Sequence, residues 1–294
     1  MKYPELPLFA FLTAFLVLIP IPWHWRARNV ATLSIIAWLF VVNFIYGVNA
    51  LLWADNVEIK AVVWCDIATK IVVGASFALP LGTLCVCKHL EAISSTRHVH
   101  VDLKRRMIFE GVMCFGIPMV FMALHYIVQG HRFDIVEDIG CSATIYFSIP
   151  AILIIWFPQL LFATITFIYA AIAIHHFVQR RAVLAFRAGA SGLTASRYIR
   201  LIAMSVTEMA WVTAFSALNL WSNVTATGLR PYTSWAYVHS DFSRIDNEYI
   251  RALIPDWYWR RIMLFWWLMP ASAIIFFLFF GFGQEATKEY RRVW

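Results

Sequence analysis

Hydrophobic residues in this chain fall in seven long runs, separated by shorter polar connections. The runs cover approximately residues 6–21, 30–53, 61–87, 107–128, 145–174, 198–221 and 262–282. Each is near or above the ~20 residues that a helix needs to cross a hydrocarbon core. The pattern predicts an all-α membrane protein, a seven-transmembrane helix bundle forming one domain over residues 1–294, with a short tail at 283–294. No internal repeat or low-complexity linker divides it. The first run has the length of a signal peptide. It lacks a preceding basic region and a small-residue cleavage site, and Arg26 and Arg28 follow it, so it reads as a retained helix.

Charge placement sets the expected orientation. With the N-terminus outside, the inner connections and residues just within them carry 15 Lys or Arg, the outer ones carry 8, and Lys70 is left inside the membrane. Asp55, Glu58, Asp134, Glu137, Asp138, Asp241, Asp246, Glu248 and Asp256 all fall outside. The bundle is therefore expected N-terminus outside and C-terminus inside, as a multi-pass membrane protein. Composition agrees, since 61% of residues are hydrophobic and only 14% charged, against about 25% charged in soluble chains. The net charge of +7 invites a nucleic-acid partner. The basic residues sit in short inner loops, however, where they report topology, and nucleic acid is excluded.

Chemistry concentrates at the start of the third run, in Trp64-Cys65-Asp66-Ile67-Ala68-Thr69-Lys70. Asp66 and Lys70 are four apart, so on a helix they share a face and are expected to pair. Ionisable groups at a membrane boundary mark functional sites. Cys65 and Cys141 are the two cysteines on the outer side, so a bridge between the third run and the second outer loop is expected. Cys85, Cys87 and Cys114 stay reduced, with Cys85 or Cys87 a candidate for palmitoylation. Glu208, deep in the sixth run, is a packing carboxylate or a switch, and Pro270 marks the seventh run as a moving part. Asn43, Asn49 and Gln159 supply an internal polar network, and Asn223-Val224-Thr225 fits a glycosylation sequon. The third outer loop, 222–257, is rich in Tyr and Trp and is expected to cap the outer mouth.

Enzyme motifs are absent. His98 with His100, and His175 with His176, lack a third ligand at useful spacing, so no metal site is expected. No zinc-protease, phosphate-loop or nucleophile-elbow motif occurs, and no catalytic residue or cofactor is assigned. The seventh run has no lysine, which excludes a retinal-type Schiff base. On the inner face, Lys104, Arg105 and Arg106 precede the fourth run. Arg180, Arg181, Arg187, Arg197 and Arg200 crowd the third inner loop without an acid. They read as an anionic-lipid contact or as a docking surface for a cytoplasmic protein.

Further motifs carry a resemblance. They are Leu6-Pro7-Leu8-Phe9, Trp25 with Arg28-Asn29, Gly47-Val48-Asn49-Ala50, the Trp64–Lys70 stretch, Tyr126-Ile127-Val128-Gln129, Gly140-Cys141, and Phe282-Gly283 with Glu285-Ala286. The chain resembles the fungal a-factor-type mating-pheromone receptors, the class D G-protein-coupled receptors, over essentially its whole length. Rhodopsin-like signatures are missing, since the third run ends in Lys88-His89-Leu90-Glu91 and the seventh lacks an Asn-Pro pair. Members of that family usually continue into a long cytoplasmic tail, whereas this sequence ends at Trp294.

The resemblance implies a receptor for a short peptide ending in a farnesylated, carboxymethylated cysteine, and activation of a heterotrimeric G protein. Expected ligand contacts are Asp66, Lys70, Asn49, Gln159 and Trp266, with Glu208 and Pro270 in the activation switch. The basic residues of the two inner loops would couple to the G protein. Membrane lipids or sterol, and a second copy of the chain in a homodimer, complete the expected partners. The alternative is a transporter or channel with Asp66, Lys70 and Glu208 as an ion path, though no repeat or pair of broken helices supports it.

Overall fold

The computed structural model describes residues 1–94, 102–179, 195–226 and 228–282. Seven of its helices are long and apolar enough to cross a membrane. They are α1 (Glu5–Arg26), α2 (Val30–Leu52), α3 (Val62–Ser94), α4 (Leu103–Val128), α5 (Ile149–Gln179), α6 (Ala195–Ala226) and α7 (Asp256–Gly281). Turns at 17–20 interrupt α1. Of its most apolar stretch, 78% is buried in α3 against 17% in α4, so α3 is the axis and α4 lies at the edge. Side-chain caps start α2 and α4: Asn29 Oδ1 accepts from Thr32 N, and Asp102 Oδ1 from Lys104 N.

Proline shapes α4 and α5. A π-turn at Val112–Gly116 precedes Pro118, and another at Ile152–Trp156 precedes Pro158. A proline cannot bond back to the carbonyl four residues earlier. For Pro118 that carbonyl belongs to Cys114, and Trp38 Nε1 of α2 donates to it at 3.0 Å. The bend is thus stabilised by a neighbouring helix. In α7 the carbonyl of Met269, next to Pro270, accepts from Asn43 Nδ2 at 3.4 Å, while Thr13 Oγ1 donates to Asn43 Oδ1 at 3.1 Å. Asn43 therefore ties α1, α2 and α7. Cys85, Cys87 and Cys114 are free thiols, all buried. That corrects the expectation of an acylation site, because α3 continues two turns past Cys87 and keeps both thiols inside the bundle.

One end of the bundle carries a small sheet that the helical pattern did not predict. Strands β1 (Phe133–Val136), β2 (Gly140–Ser142) and β3 (Ile245–Tyr249) lie in the order β2-β1-β3. The β1–β2 pair is an antiparallel hairpin, and β3 returns from beyond α6 to pair with β1 in parallel. Phe133 and Ile135 of β1 are fully buried with Trp53 and Cys65. The connection between α6 and α7, expected as a cap, lies against this end. Tyr232 Oη donates to Ile127 O at 3.1 Å, and His239 and Phe242 pack on Tyr126 beside the helical turn Trp235–Val238.

Gly140 makes the hairpin fit. Its φ is +86°, and a Cβ there would lie 2.6 Å from Asn49 Cβ and 2.8 Å from Trp53 Cε3. Gly140→Ala is expected to destabilise this end by roughly 2–4 kcal/mol, adding backbone strain to overpacking. A thermal midpoint equal to that of the unaltered chain would contradict this account of the glycine.

Candidate functional site

The first turns of α3 anchor the capped end. Cys65, fully buried, is bridged to Cys141 of β2, with their Cα atoms 5.4 Å apart. Asn49 of α2 lies beneath, its Oδ1 accepting from Trp64 Nε1 at 2.8 Å. Several stretches that carry the family resemblance therefore meet at one place: Asn49, Trp64-Cys65-Asp66, Gln129 and Gly140-Cys141.

The expected Asp66–Lys70 pair is not formed; each group holds a different partner. Arg132, just before β1, donates Nε to Asp66 Oδ1 at 2.8 Å and Nη2 to Oδ2 at 2.6 Å. A guanidinium offers a planar fork that matches both carboxylate oxygens, which a helical lysine one turn away cannot do. The paired carboxylate raises the Arg132 pKa further. Lys70 instead donates to Gln129 Oε1 at 2.6 Å and lies 2.9 Å from His125 Nδ1. An ammonium only donates, so His125 Nδ1 accepts and its Nε2–H donates to Thr144 O at 3.0 Å. Gln129 Nε2 in turn donates to Arg132 O at 2.6 Å.

These contacts close a ring. It runs from Lys70 through Gln129 and Arg132 to Asp66, one turn away on the same helix. The ring clamps the end of α4 and the start of β1 onto α3, beside the disulfide. Sequence reading missed Arg132 and His125. Arg132 entered only as a loop charge, and His125 had no spacing signal.

Deeper in the bundle, Gln159 of α5 donates to Ser76 Oγ of α3 and accepts from Ser216 Oγ of α6, both at 3.1 Å. Glu208 of α6 is buried; Ser272 Oγ of α7 donates to its Oε2 at 3.0 Å, while its Oε1 has no hydrogen-bond partner among the described residues. Trp266 of α7 is buried, stacks on Tyr46 of α2, and its Nε1 has no partner among the described residues. Of the five expected ligand contacts, Asp66, Lys70, Asn49 and Gln159 already hold neighbours. Trp266 keeps an unused donor. Asn223 lies within α6 and donates to Asn219.

At the opposite end, Arg106 is tied into the bundle. Its Nη2 donates to Arg28 O at 3.0 Å, its Nη1 lies 3.1 Å from His89 Nε2, and its Nε lies 3.4 Å from Glu110 Oε1. Glu110 Oε2 accepts from Ala31 N at the start of α2, at 3.2 Å, where a carboxylate complements the helix dipole. Lys104 and Arg105 are exposed in the first turn of α4. Arg200 lies on α6. Arg180, Arg181, Arg187, His98 and His100 lie outside the described residues, as do the side chain of Arg197 and the tail from 283.

Seven apolar helices, a disulfide-clamped end and a basic opposite end define a multi-pass protein of the plasma membrane. The chain matches the family model described as STE3, pheromone A receptor, over residues 5–294, and it belongs to that family. It is 50% identical over 296 residues to the pheromone B beta 1 receptor of Schizophyllum commune, covering 99% of this chain and 54% of that protein. Identity to pheromone receptor 2 of Mycosarcoma maydis is 32%, over 92% of this chain and 80% of that one. Against the pheromone a factor receptor of Saccharomyces cerevisiae it is 21%, over 96% and 59%. The chain spans about half the length of the Schizophyllum relatives it matches.

Proposed function

We propose that this chain is a G-protein-coupled receptor for a lipid-modified peptide pheromone, and not an enzyme. The capped end faces outside and receives the peptide; the basic end faces the cytoplasm and engages a heterotrimeric G protein. Family membership over nearly the whole chain is the observation that carries this reading. The geometry adds support. The clamp built on Cys65–Cys141, Asp66–Arg132 and Lys70–Gln129 holds the connection between α4 and α5 over the helix ends, and β3 of the connection between α6 and α7 pairs with it there, where a ligand from outside would arrive.

Trp266 Nε1 and Glu208 Oε1 lack partners among the described residues and suit the polar carbonyl and amide groups of a peptide. Glu208–Ser272 joins α6 to α7, and Pro270 lies inside α7 two residues before Ser272, so rearrangement there is the proposed switch. Binding would shift it through differential affinity for the two arrangements. Lys104, Arg105, Arg180, Arg181, Arg187, Arg197 and Arg200 are the proposed coupling surface. Arg106 contributes by holding α4 to α2. Lipid or sterol contacts and homodimerisation stay with this proposal. An ion path through Asp66 and Lys70 is disfavoured, because both charges are engaged by the clamp.

A prenyl chain should dominate affinity, since each buried methylene contributes ~0.8 kcal/mol. In lipid nanodiscs, a synthetic peptide ending in farnesylated, carboxymethylated cysteine is expected to bind about a hundredfold more tightly than its unprenylated form, even if few methylenes are buried. Equal binding of both to the purified chain would remove the lipopeptide reading. A control peptide of scrambled sequence with the same farnesyl group separates recognition from partition into the bilayer.

A further inference from the structure

We propose that His131, Asp134 and Asp246 form a binding site for a divalent metal ion of the Zn²⁺ type, one that pins the connection between α6 and α7 to the connection between α4 and α5. Asp134 of β1 and Asp246 of β3 stand directly opposite each other in the parallel register, and the pairing is irregular immediately afterwards. Like charges placed so are destabilising, and bulges often accompany functional sites. His131 turns its Nε2 into the same spot, 2.6 Å from Asp134 Oδ1 and 3.3 Å from Asp246 Oδ2. The three donor atoms all lie within 4.8 Å of one another. The side chains are only 15%, 18% and 30% exposed.

The geometry is close to that of a metal centre. Tetrahedral zinc with bonds of ~2.0 Å separates its donors by about 3.3 Å. The His131–Asp246 distance already has that value. The His131–Asp134 contact would open slightly as its bridging proton gives way to the ion. One imidazole nitrogen with two carboxylate oxygens suits zinc or copper, while Mg²⁺ and Ca²⁺ prefer oxygen alone. A water would fill the fourth position.

Arg244 is the competing cation and can be accommodated. Its Nε donates to Asp246 Oδ1 at 2.7 Å, leaving Oδ2 for the metal. Its Nη2 lies 3.2 Å from His131 Nδ1. A guanidinium only donates, so without metal Nδ1 accepts and Nε2 carries the imidazole proton. On metal binding that proton moves to Nδ1, and the neutral ring gains and loses nothing overall. Arg244 then releases Nδ1 and turns towards Asp241, whose Oδ2 lies 3.9 Å from Nη1.

The test uses the full chain in nanodiscs, stripped with chelator and titrated with Zn²⁺ by calorimetry. One equivalent should bind in the micromolar range, with Mg²⁺ and Ca²⁺ giving no comparable heat. His131→Ala and Asp246→Asn should each weaken binding at least tenfold. Zn²⁺ should slow amide exchange across 245–249 in the unaltered chain and in neither variant. Asp246→Asn keeps an oxygen for Arg244, so it reports on the site if His131→Ala fails to fold. Unchanged affinity and stoichiometry in the folded variants, or no binding by the unaltered chain, would overturn the proposal.

Discussion

Cys141→Ser is expected to loosen the capped end by about 2–4 kcal/mol, the usual contribution of a native disulfide. The bridge closes a separation of 76 residues, for which chain entropy alone would place the effect just above that range. Much of the enclosed chain is α3 and α4, which a bilayer already holds near each other. The lower half of the range is therefore expected. Its effect should be local, because Cys65 packs with Trp53, Phe133 and Ile135, and losing the bridge frees β1 and β2 from α3. Amide exchange across 133–142 should rise in Cys141→Ser and in the reduced chain alike. Intact-mass analysis should show two additional alkylatable thiols only after reduction. Exchange that stays at its original level would show that the ion pair and hydrogen bonds hold the hairpin without the disulfide.

Lys70→Ala should reduce the pheromone response even at normal surface expression. His125 and Gln129 are only 1% and 4% exposed. Removing the ammonium leaves His125 Nδ1 and Gln129 Oε1 without their shared donor. A buried polar group so orphaned costs about 1–3 kcal/mol. Lys70 would then act through the clamp, by holding α4 and the start of β1 on α3. A double-mutant cycle separates that role from direct ligand contact. If the clamp is the route, Lys70→Ala and His125→Ala should be non-additive in stability, with a coupling of about 0.5–3 kcal/mol, and both should lower ligand affinity. A dose–response curve unchanged by Lys70→Ala would end this account of the residue.

The bundle was legible in the sequence because a membrane imposes a length rule on each span. The Cys65–Cys141 bridge was legible because topology leaves few cysteines on one side. The sheet was not. Its strands have four, three and five residues, too short for alternation to register, and β3 pairs with β1 across the whole of α5 and α6. The same locality misled the reading of Asp66. An i,i+4 lysine is the nearest cation along the chain, but Arg132, 66 residues away, brings the better geometry. Arg106 shows the converse. Its position in a basic cluster suggested an exposed docking charge, yet Glu110, His89 and Arg28 hold it within the bundle. Local spacing identifies which residues carry charge, and tertiary geometry decides which partner each one finds.

In the proposed receptor, a farnesylated peptide at the clamped end drives nucleotide exchange at the other. The direct measurement is GTP loading of a heterotrimeric G protein reconstituted with this chain in nanodiscs, with and without the synthetic farnesylated peptide. The account predicts loading that saturates with peptide concentration, requires the farnesyl group and is lost when the Cys65–Cys141 bridge is reduced. Peptide-independent loading, or none while the peptide binds and the chain remains folded, would contradict it.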